Sequence, residues 1–172
     1  MSPANESRGS LAIRPAEPRD VGLILDLVRA LAAYEKRQDE VEASLADIDR
    51  DLFGPAPRIF CDIALWDGAP AGFALWFHNY STFQGRHGIY LEDLFVRPDF
   101  RGRGIGKALI VRLAARCRDE ALGRLQWWVL DWNAPAIAFY KSIGAVPQDD
   151  WTVFRLAGDA LERRGHQLDL DR

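Results

Sequence analysis

The sequence predicts a mixed α/β fold, in which a twisted sheet is flanked by helices. Short β-prone runs alternate along the chain with segments whose apolar residues recur at helical spacing. The 172 residues are 48% hydrophobic, which is enough to bury a core within one domain. We therefore expect a single domain over residues 11–164, with flexible tails at residues 1–10 and 165–172.

Two helices follow a short first strand, which is predicted at residues 11–15. Asp20 can cap the first helix, whose apolar stripe continues to about Tyr34. The second helix is predicted to begin after Ser44, where a capping-box pattern stands, and to end near residue 53. The Gly-Pro-Ala-Pro sequence that comes next closes this helical part of the chain.

The middle of the chain predicts three strands. The runs at residues 59–66 and 71–80 flank Asp-Gly-Ala-Pro at residues 67–70, a sequence typical of a hairpin turn. Residues 81–88 are rich in polar side chains and predict a loop. The apolar run at residues 89–96 predicts the fourth strand.

The last part of the chain predicts two further strands, each after a helix. A helix from about residue 104 to residue 122 precedes the fifth strand, at residues 125–130. Asn133 is a good N-cap, and a proline in the first turn supports a helix that ends at residue 143. The final strand is predicted at residues 151–156.

The fourth strand leads into a turn with glycine at every second position, at residues 102, 104 and 106, and then into a helix. Glycines let the backbone come close to a ligand, and the N–H groups at a helix start attract anionic oxygens. The spacing is neither a dinucleotide fingerprint nor a P-loop. Lys107 stands where the former needs glycine, and Ala108 where the latter needs a hydroxyl. The turn therefore predicts a phosphate site of another kind.

Composition and spacing exclude other classes of function. The net charge is -3, with acidic and basic residues interspersed, which does not favour nucleic-acid binding. No apolar window is long enough for a membrane helix and the N-terminus is not a signal peptide, so we expect a cytoplasmic protein without membrane contact. His78, His87 and His166 lack metal-ligand spacing, so no metal is expected. Cys61 and Cys117 are expected to be buried free thiols.

The turn Arg101-Gly102-Arg103-Gly104-Ile105-Gly106 has the form R-x-x-G-x-G, and Val96 to Phe100 has the form V-x-P-x-[FY]. With these motifs the chain resembles the GNAT superfamily of acetyl-CoA-dependent N-acetyltransferases. The resemblance covers residues from about 11 to about 161. It implies the GNAT (acyl-CoA N-acyltransferase) fold, with element order βααββββαβαβ, and acetyl-CoA or coenzyme A as the cofactor.

The resemblance also implies how the cofactor is held. The backbone N–H groups of residues 102–106 hold the pyrophosphate, and Arg101 and Arg103 supply positive charge. The pantetheine arm lies beside the fourth strand, where a free N–H of Phe95 or Val96 faces the thioester oxygen. The cofactor-binding residues so implied are Leu94, Phe95, Val96, Arg101, Gly102, Arg103, Gly104, Ile105, Gly106, Lys107, Asn133, Pro135, Ala136 and Tyr140.

Two residues are predicted to move protons. Residues 133–140 look like the family motif N-x-x-A-x-x-x-Y, which indicates Tyr140 as the acid for the departing thiolate. A phenol with a pKa near ~10 is protonated at neutral pH. Side chains alternate across a strand, so only one of Glu92 and Asp93 faces the cleft. The resemblance gives that place to Glu92, which binds the cationic amine or deprotonates it, and Asp93 is left a structural role.

Residues 31–35, Leu-Ala-Ala-Tyr-Glu, resemble the diamine (spermidine/spermine) acetyltransferase family more specifically, as do residues 90–96. Residues 80–86, Tyr-Ser-Thr-Phe-Gln-Gly-Arg, are instead similar to the thialysine branch and lack the acidic residue of the spermidine/spermine enzymes. Trp127 and Trp128 point to opposite sheet faces, and Trp128 is the candidate for contact with an amine. The predicted substrate-binding residues are Tyr34, Glu35, Ser81, Glu92 and Trp128.

We therefore predict an enzyme that transfers acetyl from acetyl-CoA to a primary amine of a small molecule, by direct attack in a ternary complex. The acceptor is a diamine or polyamine, or a thialysine-like amino acid. A protein or aminoglycoside acceptor stays open, and a non-catalytic acyl-CoA-binding module is the alternative of another class. Tyr140 and Glu92 count against that module, because it needs neither an acid nor a base. The resemblance further implies a homodimer.

Overall fold

The computed structural model describes residues 9–170, with side chains as far as residue 166. The helices and strands are β1 Leu11–Pro15, α1 Val21–Tyr34, α2 Leu45–Phe53, β2 Phe60–Trp66, β3 Ala69–Ser81, β4 Arg86–Val96, α3 Ile105–Asp119, β5 Leu125–Gln126, α4 Ala134–Ser142 and α5 Gly158–Leu170. The first compact unit ends at Leu130 and the second begins at Asp131, so α4 and α5 belong to the second. The mixed α/β class predicted from the sequence is confirmed.

The sheet of the first unit runs in the order β1-β2-β3-β4-β5. The first four strands are antiparallel, and β5 joins β4 in parallel. Helices α1 and α2 pack on one face through a stripe of apolar residues that includes the fully buried Ile24 and Leu27. The opposite face receives α3, from which Arg112 Nε donates to Asp62 Oδ1 at 2.8 Å. The sheet is thus covered on both faces, with one core cluster beneath α1 and α2 and fully buried side chains such as Leu109 and Leu113 on α3.

Local sequence signals explain how several elements begin and end. The capping box predicted at α2 is present, with Ser44 Oγ accepting from the Asp47 N–H and the Asp47 carboxylate accepting from the Ser44 N–H. Asp67 and Gly68 have φ values of 49° and 80° and join β2 to β3 as a two-residue hairpin turn. A turn of this kind requires positive φ at both positions, which the Asp-Gly sequence accepts. These two predictions are therefore confirmed.

The hairpin of β3 and β4 is longer than the sequence predicts. A loop is predicted at residues 81–88, but only residues 82–85 form the turn and the strands take up the rest. The polar residues pair across the strands instead, as the rings of Tyr80 and His87 do with centres 5.1 Å apart. Cross-strand pairing therefore outweighs the polar composition on which the loop prediction rests.

Two predicted strands are shortened or lost. The strand predicted at residues 125–130 ends at Gln126, and the run at residues 151–156 is irregular up to the start of α5. Three strands, not the four of the family order, lie between α2 and α3. The run at 151–156 has high β propensity, but that propensity is realised only where a partner strand pairs with it. Helix α5 continues to Leu170, so residues 165–170, which the sequence predicts as tail, are helical.

The tails are predicted at residues 1–10 and 165–172, and of these residues 1–8 and 171–172 lie outside the described range. Ser10, predicted as tail, is in fact held: its N–H donates to Asp67 Oδ1 at 2.7 Å, and its carbonyl accepts from the Asp67 N–H at 2.8 Å. Within the described range, no helix combines the length and the apolar character that a membrane crossing demands.

Candidate active site

A β-bulge in β4 removes Glu92 from the regular pairing. Leu75 pairs with Asp93 and the next residue, Trp76, pairs with Leu91, so Glu92 is the extra residue of β4. Bulges bend a strand and redirect its side chains, and they are frequent beside active sites. Glu92 is exposed. Because alternation breaks at this step, the argument that only one of the two adjacent carboxylates faces the cleft does not hold.

Beyond the bulge, β4 has an open edge within the first unit. Arg97 donates its backbone N–H to Ala71 O at 2.9 Å, so these residues form a hydrogen-bonded pair of the antiparallel ladder. Such pairs alternate, so Phe95 also turns its N–H toward β3, whereas Leu94 and Val96 turn theirs away. Strand β5 pairs with β4 only before the bulge. Of the two N–H groups predicted to face a thioester, that of Val96 lies on the open edge and that of Phe95 does not.

The glycine turn presents backbone N–H groups at the start of α3. Gly102 and Gly104 have φ values of 75° and 78°, and a Cβ at either position would meet nothing within 4 Å. Glycine adopts this left-handed conformation without strain. None of the described residues accepts a hydrogen bond from the backbone N–H groups of residues 102–107. An open backbone with unused donors at a helix N-terminus suits anionic oxygens.

Both arginine side chains of the turn contact the protein itself. Arg101 donates from Nε to Val96 O at 3.0 Å, and its guanidinium carbon lies 4.6 Å from the centre of the Tyr34 ring. Arg103 donates from Nη2 to Asp99 O at 3.1 Å. These hydrogen bonds use one nitrogen of each guanidinium group, and both groups bring positive charge close to the backbone N–H groups of the turn.

An orphaned donor lies at the end of β4. The Nε atom of Arg97 is buried and, among the described residues, has no hydrogen-bond partner. A buried donor left unpaired costs about 1–3 kcal/mol, and a negatively charged group bound beside it offsets that cost. The N–H groups of residues 102–107 suit the diphosphate of coenzyme A.

Two carboxylates lie on the α1 side of the sheet. Asp93 pairs across the strands with Leu75, which belongs to the core beneath α1. Burial, together with the negative charges of Glu92 and Glu35, raises the pKa of Asp93 to about 7. Burial also raises the pKa of Glu35, at the end of α1. No hydrogen bond or ion pair among the described residues involves the Asp93 side chain. An acid that titrates near neutrality without a partner is a typical base or cation ligand.

Trp128 stands near the same stretch of β4. Its ring meets the Tyr90 ring edge-on with centres 5.7 Å apart, and Tyr90 lies two residues before Glu92. The Trp128 side chain is 55% exposed, so its ring is accessible to a ligand. Trp128, through Tyr90, and Glu35, whose charge acts on Asp93, therefore lie near this segment of β4. The substrate-binding roles of Tyr34, Glu35 and Trp128 stay predictions.

Ser81 is separated from these residues. It lies at the far end of the hairpin, where it pairs with Arg86, roughly 20 Å along β4 from Glu92. Its side chain is buried, and Oγ accepts from the Gln84 N–H at 3.3 Å within the turn. A role for Ser81 in binding substrate stays a prediction, and the geometry of the first unit assigns this hydroxyl to the turn.

The second unit carries the predicted acid on α4. Asn133 Oδ1 accepts from the Ala136 N–H at 3.3 Å and Pro135 lies in the first turn, so the predicted helix start is confirmed. The helix ends at Ser142, and Gly144, which follows the C-cap residue Ile143, has the φ of 89° that suits this position. Tyr140 is half-buried in the last turn. Its role as acid, and the contacts predicted for these α4 residues with the cofactor, stay predictions.

Asp93 and Arg97 become candidate site residues through the raised pKa of the first and the unpaired buried donor of the second, which their sequence context does not indicate. Alternation allows only one of Glu92 and Asp93 to face the cleft and the resemblance gives that place to Glu92, but the bulge removes the argument from alternation. A bulge of this kind has no sequence signal here, since Glu92 is not glycine. Arg97 is a charged residue between an apolar strand and Pro98. A charged residue between an apolar strand and a proline is the one sequence signal that could have indicated Arg97 as a functional residue.

Known proteins resemble this chain in sequence and in fold. The profile of the Acetyltransferase (GNAT) family matches residues 24–145. The thialysine N-epsilon-acetyltransferase of Bos taurus is 39% identical over 160 residues, which are 87% of this chain and 94% of that protein. The L-ornithine N5-acetyltransferase NATA1 of Arabidopsis thaliana is 39% identical over 123 residues, 72% of this chain and 51% of that protein. An integron cassette protein from the mobile metagenome of V. cholerae superposes with a TM-score of 0.74 at 27% identity, over 91% of this chain and 98% of that one.

Proposed function

This chain belongs to the GNAT family of acetyltransferases, and from that membership we propose that it transfers acetyl from acetyl-CoA to a primary amine of a small molecule. One observation carries the proposal: the open edge of β4 at Val96 continues into the unused N–H groups of residues 102–107. In coenzyme A a pantetheine arm with amide groups is joined to a diphosphate. A strand edge followed directly by an anion site suits both parts of such a molecule.

When bound, acetyl-CoA supplies an acetyl group that is activated as a thioester. Residues 102–107 bind the diphosphate oxygens through their N–H groups, aided by the charge of the neighbouring arginines. Leu94 and Val96 offer their N–H and C=O groups to the pantetheine arm. In this arrangement the Val96 N–H is the donor for the thioester carbonyl oxygen.

Carboxylates of the first unit bind the amine and take its proton. An alkylamine is mostly protonated at neutral pH, so Glu35 and Asp93 attract it and a base must deprotonate it before attack. Asp93, with its pKa raised to about 7, accepts a proton near neutrality, and Glu92 assists from the bulge. Tyr140 Oη gives a proton to the departing thiolate.

Direct transfer in a ternary complex is supported by the state of the thiols. Cys61 and Cys117 are buried, and burial raises the pKa of both. A protonated, buried thiol is a poor nucleophile, so neither cysteine is suited to carry the acetyl group as an intermediate. The amine itself is then the group that attacks.

We infer an amino acid with a side-chain amine, of the thialysine type, as the acceptor. Two similar enzymes are named for thialysine and for ornithine, which both carry such an amine. The turn at residues 82–85 has no carboxylate for a second ammonium group. A polyamine is the second candidate, because Glu35, Glu92 and Asp93 place three carboxyl groups near one another.

Release of coenzyme A thiol across a panel of amines tests this function. We expect turnover with thialysine and ornithine to exceed that with spermidine. In Tyr140→Phe, kcat should fall about 100-fold at an acetyl-CoA KM within a few-fold of wild type, because only the proton donor is lost. Tyr80→Phe removes a hydroxyl on the exposed hairpin and should leave both constants unchanged. Unaltered kcat in Tyr140→Phe would remove this residue as the acid, and equal rates with all amines would remove the acceptor inference.

We also propose that the enzyme is a homodimer. The second unit exposes large apolar side chains, among them Val146, Trp151 and Phe154. Exposed apolar groups gathered in one segment are typical of protein–protein contact surfaces. A second copy of this chain is the partner that the family resemblance suggests.

A further inference from the structure

An aromatic surface lies on the same face of the sheet as Asp93. Alternation holds along β3 here, so Phe77 shares a face with Phe73 and Leu75, which belong to the core cluster beneath α1 and α2. Across the strands, Asp93 pairs with Leu75, and Tyr90 pairs with Phe77. Measured along β3, Asp93 is therefore separated from the pair of Phe77 and Tyr90 by the rise of two residues, roughly 7 Å.

Three rings form this surface, which we call the aromatic row: Phe77 on β3, Tyr90 on β4 and Trp128 after β5. The rings of Phe77 and Tyr90 have centres 5.1 Å apart, and the Trp128 ring meets that of Tyr90 edge-on with centres 5.7 Å apart. Phe77 and Tyr90 are half-buried, whereas Trp128 is 55% exposed. The aromatic row therefore rests on the sheet at one end and is accessible to a ligand at the other.

This face offers two kinds of binding group side by side. Glu35 and Glu92 both act on the charge of Asp93, so three carboxyl groups lie near one another beside the aromatic row. Carboxylates bind a primary ammonium, and an aromatic surface binds another ring by offset or edge-to-face stacking. Thialysine and spermidine carry an ammonium but no ring. A ligand that matches both parts of the face is an arylalkylamine, in which a short alkyl chain joins an aryl ring to an amine.

We propose that the enzyme also acetylates arylalkylamines, whose ring binds on the aromatic row while the ammonium binds at Asp93. This inference rests on the proposed function, because it uses the same acetyl donor and the same carboxyl groups. The Asp93 carboxylate takes one proton from the ammonium and passes it to solvent. The amine nitrogen then forms a bond to the acetyl carbon and releases a second proton as the carbon–sulfur bond breaks. The sulfur keeps the electron pair of that bond and takes up this second proton.

A series of amines tests the proposal on the wild-type protein. Initial rates are measured as release of coenzyme A thiol with phenethylamine, 2-cyclohexylethylamine and butylamine, and the mass of the product confirms acetylation. In kcat/KM, phenethylamine should exceed butylamine at least about 10-fold, because its ring buries apolar surface that butylamine lacks. It should exceed 2-cyclohexylethylamine, whose ring is saturated and cannot stack, roughly 2- to 13-fold. Equal kcat/KM for phenethylamine and either of the other two amines would overturn the proposal.

Matched variants locate the surface that binds the ring. Trp128→Leu keeps an apolar side chain but removes the exposed ring, so the preference for phenethylamine over 2-cyclohexylethylamine should fall at least about 2-fold. A ratio of two amines cancels any change in the binding of the ammonium. Phe83→Leu removes a ring that is 97% exposed in the hairpin turn, and it should keep the wild-type preference. An unchanged preference in Trp128→Leu, or an equal loss in Phe83→Leu, would disprove the role of the aromatic row.

The outcomes separate this proposal from the proposed function. If thialysine and ornithine are acetylated but phenethylamine is no better than butylamine, the arylalkylamine activity is disproved and the proposed function stands. If none of these primary amines is acetylated, both proposals fail. Circular dichroism and Tm establish that each variant is folded before rates are compared, and the comparison of amines on the wild type does not depend on any variant.

Discussion

Asp93 has a buried carboxyl group whose charged form, which the proposed function needs, weakens the fold. Burial and two negative neighbours all disfavour its charged form, and its pKa is raised to about 7. The folded protein therefore binds this proton more tightly than the unfolded chain does. The stabilising contribution is complete below the ordinary pKa of aspartate and is lost as the pH rises through about 7. At the pH where the carboxylate can accept a proton from an amine, it weakens the fold.

We expect Asp93→Asn to be more stable than wild type at pH 8 and equally stable near pH 4. The amide removes the charge that burial disfavours, and Tm at pH 8 should rise by at least about 2 °C. At pH 7.5, kcat/KM should fall about 100-fold, since the proton acceptor is gone. Asp49→Asn, at an exposed acid on α2, should change neither quantity. A lower Tm for Asp93→Asn at pH 8 would show that the carboxylate has a stabilising partner.

At the scale of the elements, the glycine turn needs a backbone that accepts positive φ and N–H groups held in place for an anion. A comparison of two glycines separates these requirements. Gly104 and Gly85 both have positive φ, 78° and 62°, and a Cβ at either would meet open space. Alanine at each position therefore has a backbone cost of roughly 1–2 kcal/mol and no steric clash. They differ in surroundings: Gly104 lies among the unused N–H groups of residues 102–107, and Gly85 lies in the hairpin turn.

Gly104→Ala should therefore weaken coenzyme A binding at least about 10-fold, whereas Gly85→Ala should leave it unchanged. Strain at residue 104 would displace the N–H groups that we propose to bind the diphosphate. Both variants should lose similar stability in urea unfolding, which makes the comparison independent of folding. Tryptophan fluorescence titration with coenzyme A measures the affinities. Identical affinity in the two variants would place the nucleotide away from this turn.

For the whole molecule, the features that the sequence predicted are those with local causes. The capping box at Ser44, the Asp-Gly turn and the cap at Asn133 each depend on a few adjacent residues, and all three are present. The position of Glu92 in a bulge and the direction of the Val96 N–H depend on pairing with β3, which no local pattern encodes. The same holds for residues 151–156, whose β propensity lacks a partner strand within the described chain.

The apolar segment of the second unit leads to a prediction about assembly. Phe154 is 91% exposed in a single copy, so replacing it with serine should change the stability of a monomer by no more than about 0.5 kcal/mol. In a dimer that covers this ring, burial is worth about 1.5–3 kcal/mol. We therefore expect Phe154→Ser to weaken the dimer at least about 10-fold, measured by light scattering over a dilution series. Phe83→Ser, at an equally exposed ring in the hairpin turn, should leave the dimer intact. A monomeric mass for the wild type at every concentration tested would rule out the second copy as the partner of this segment.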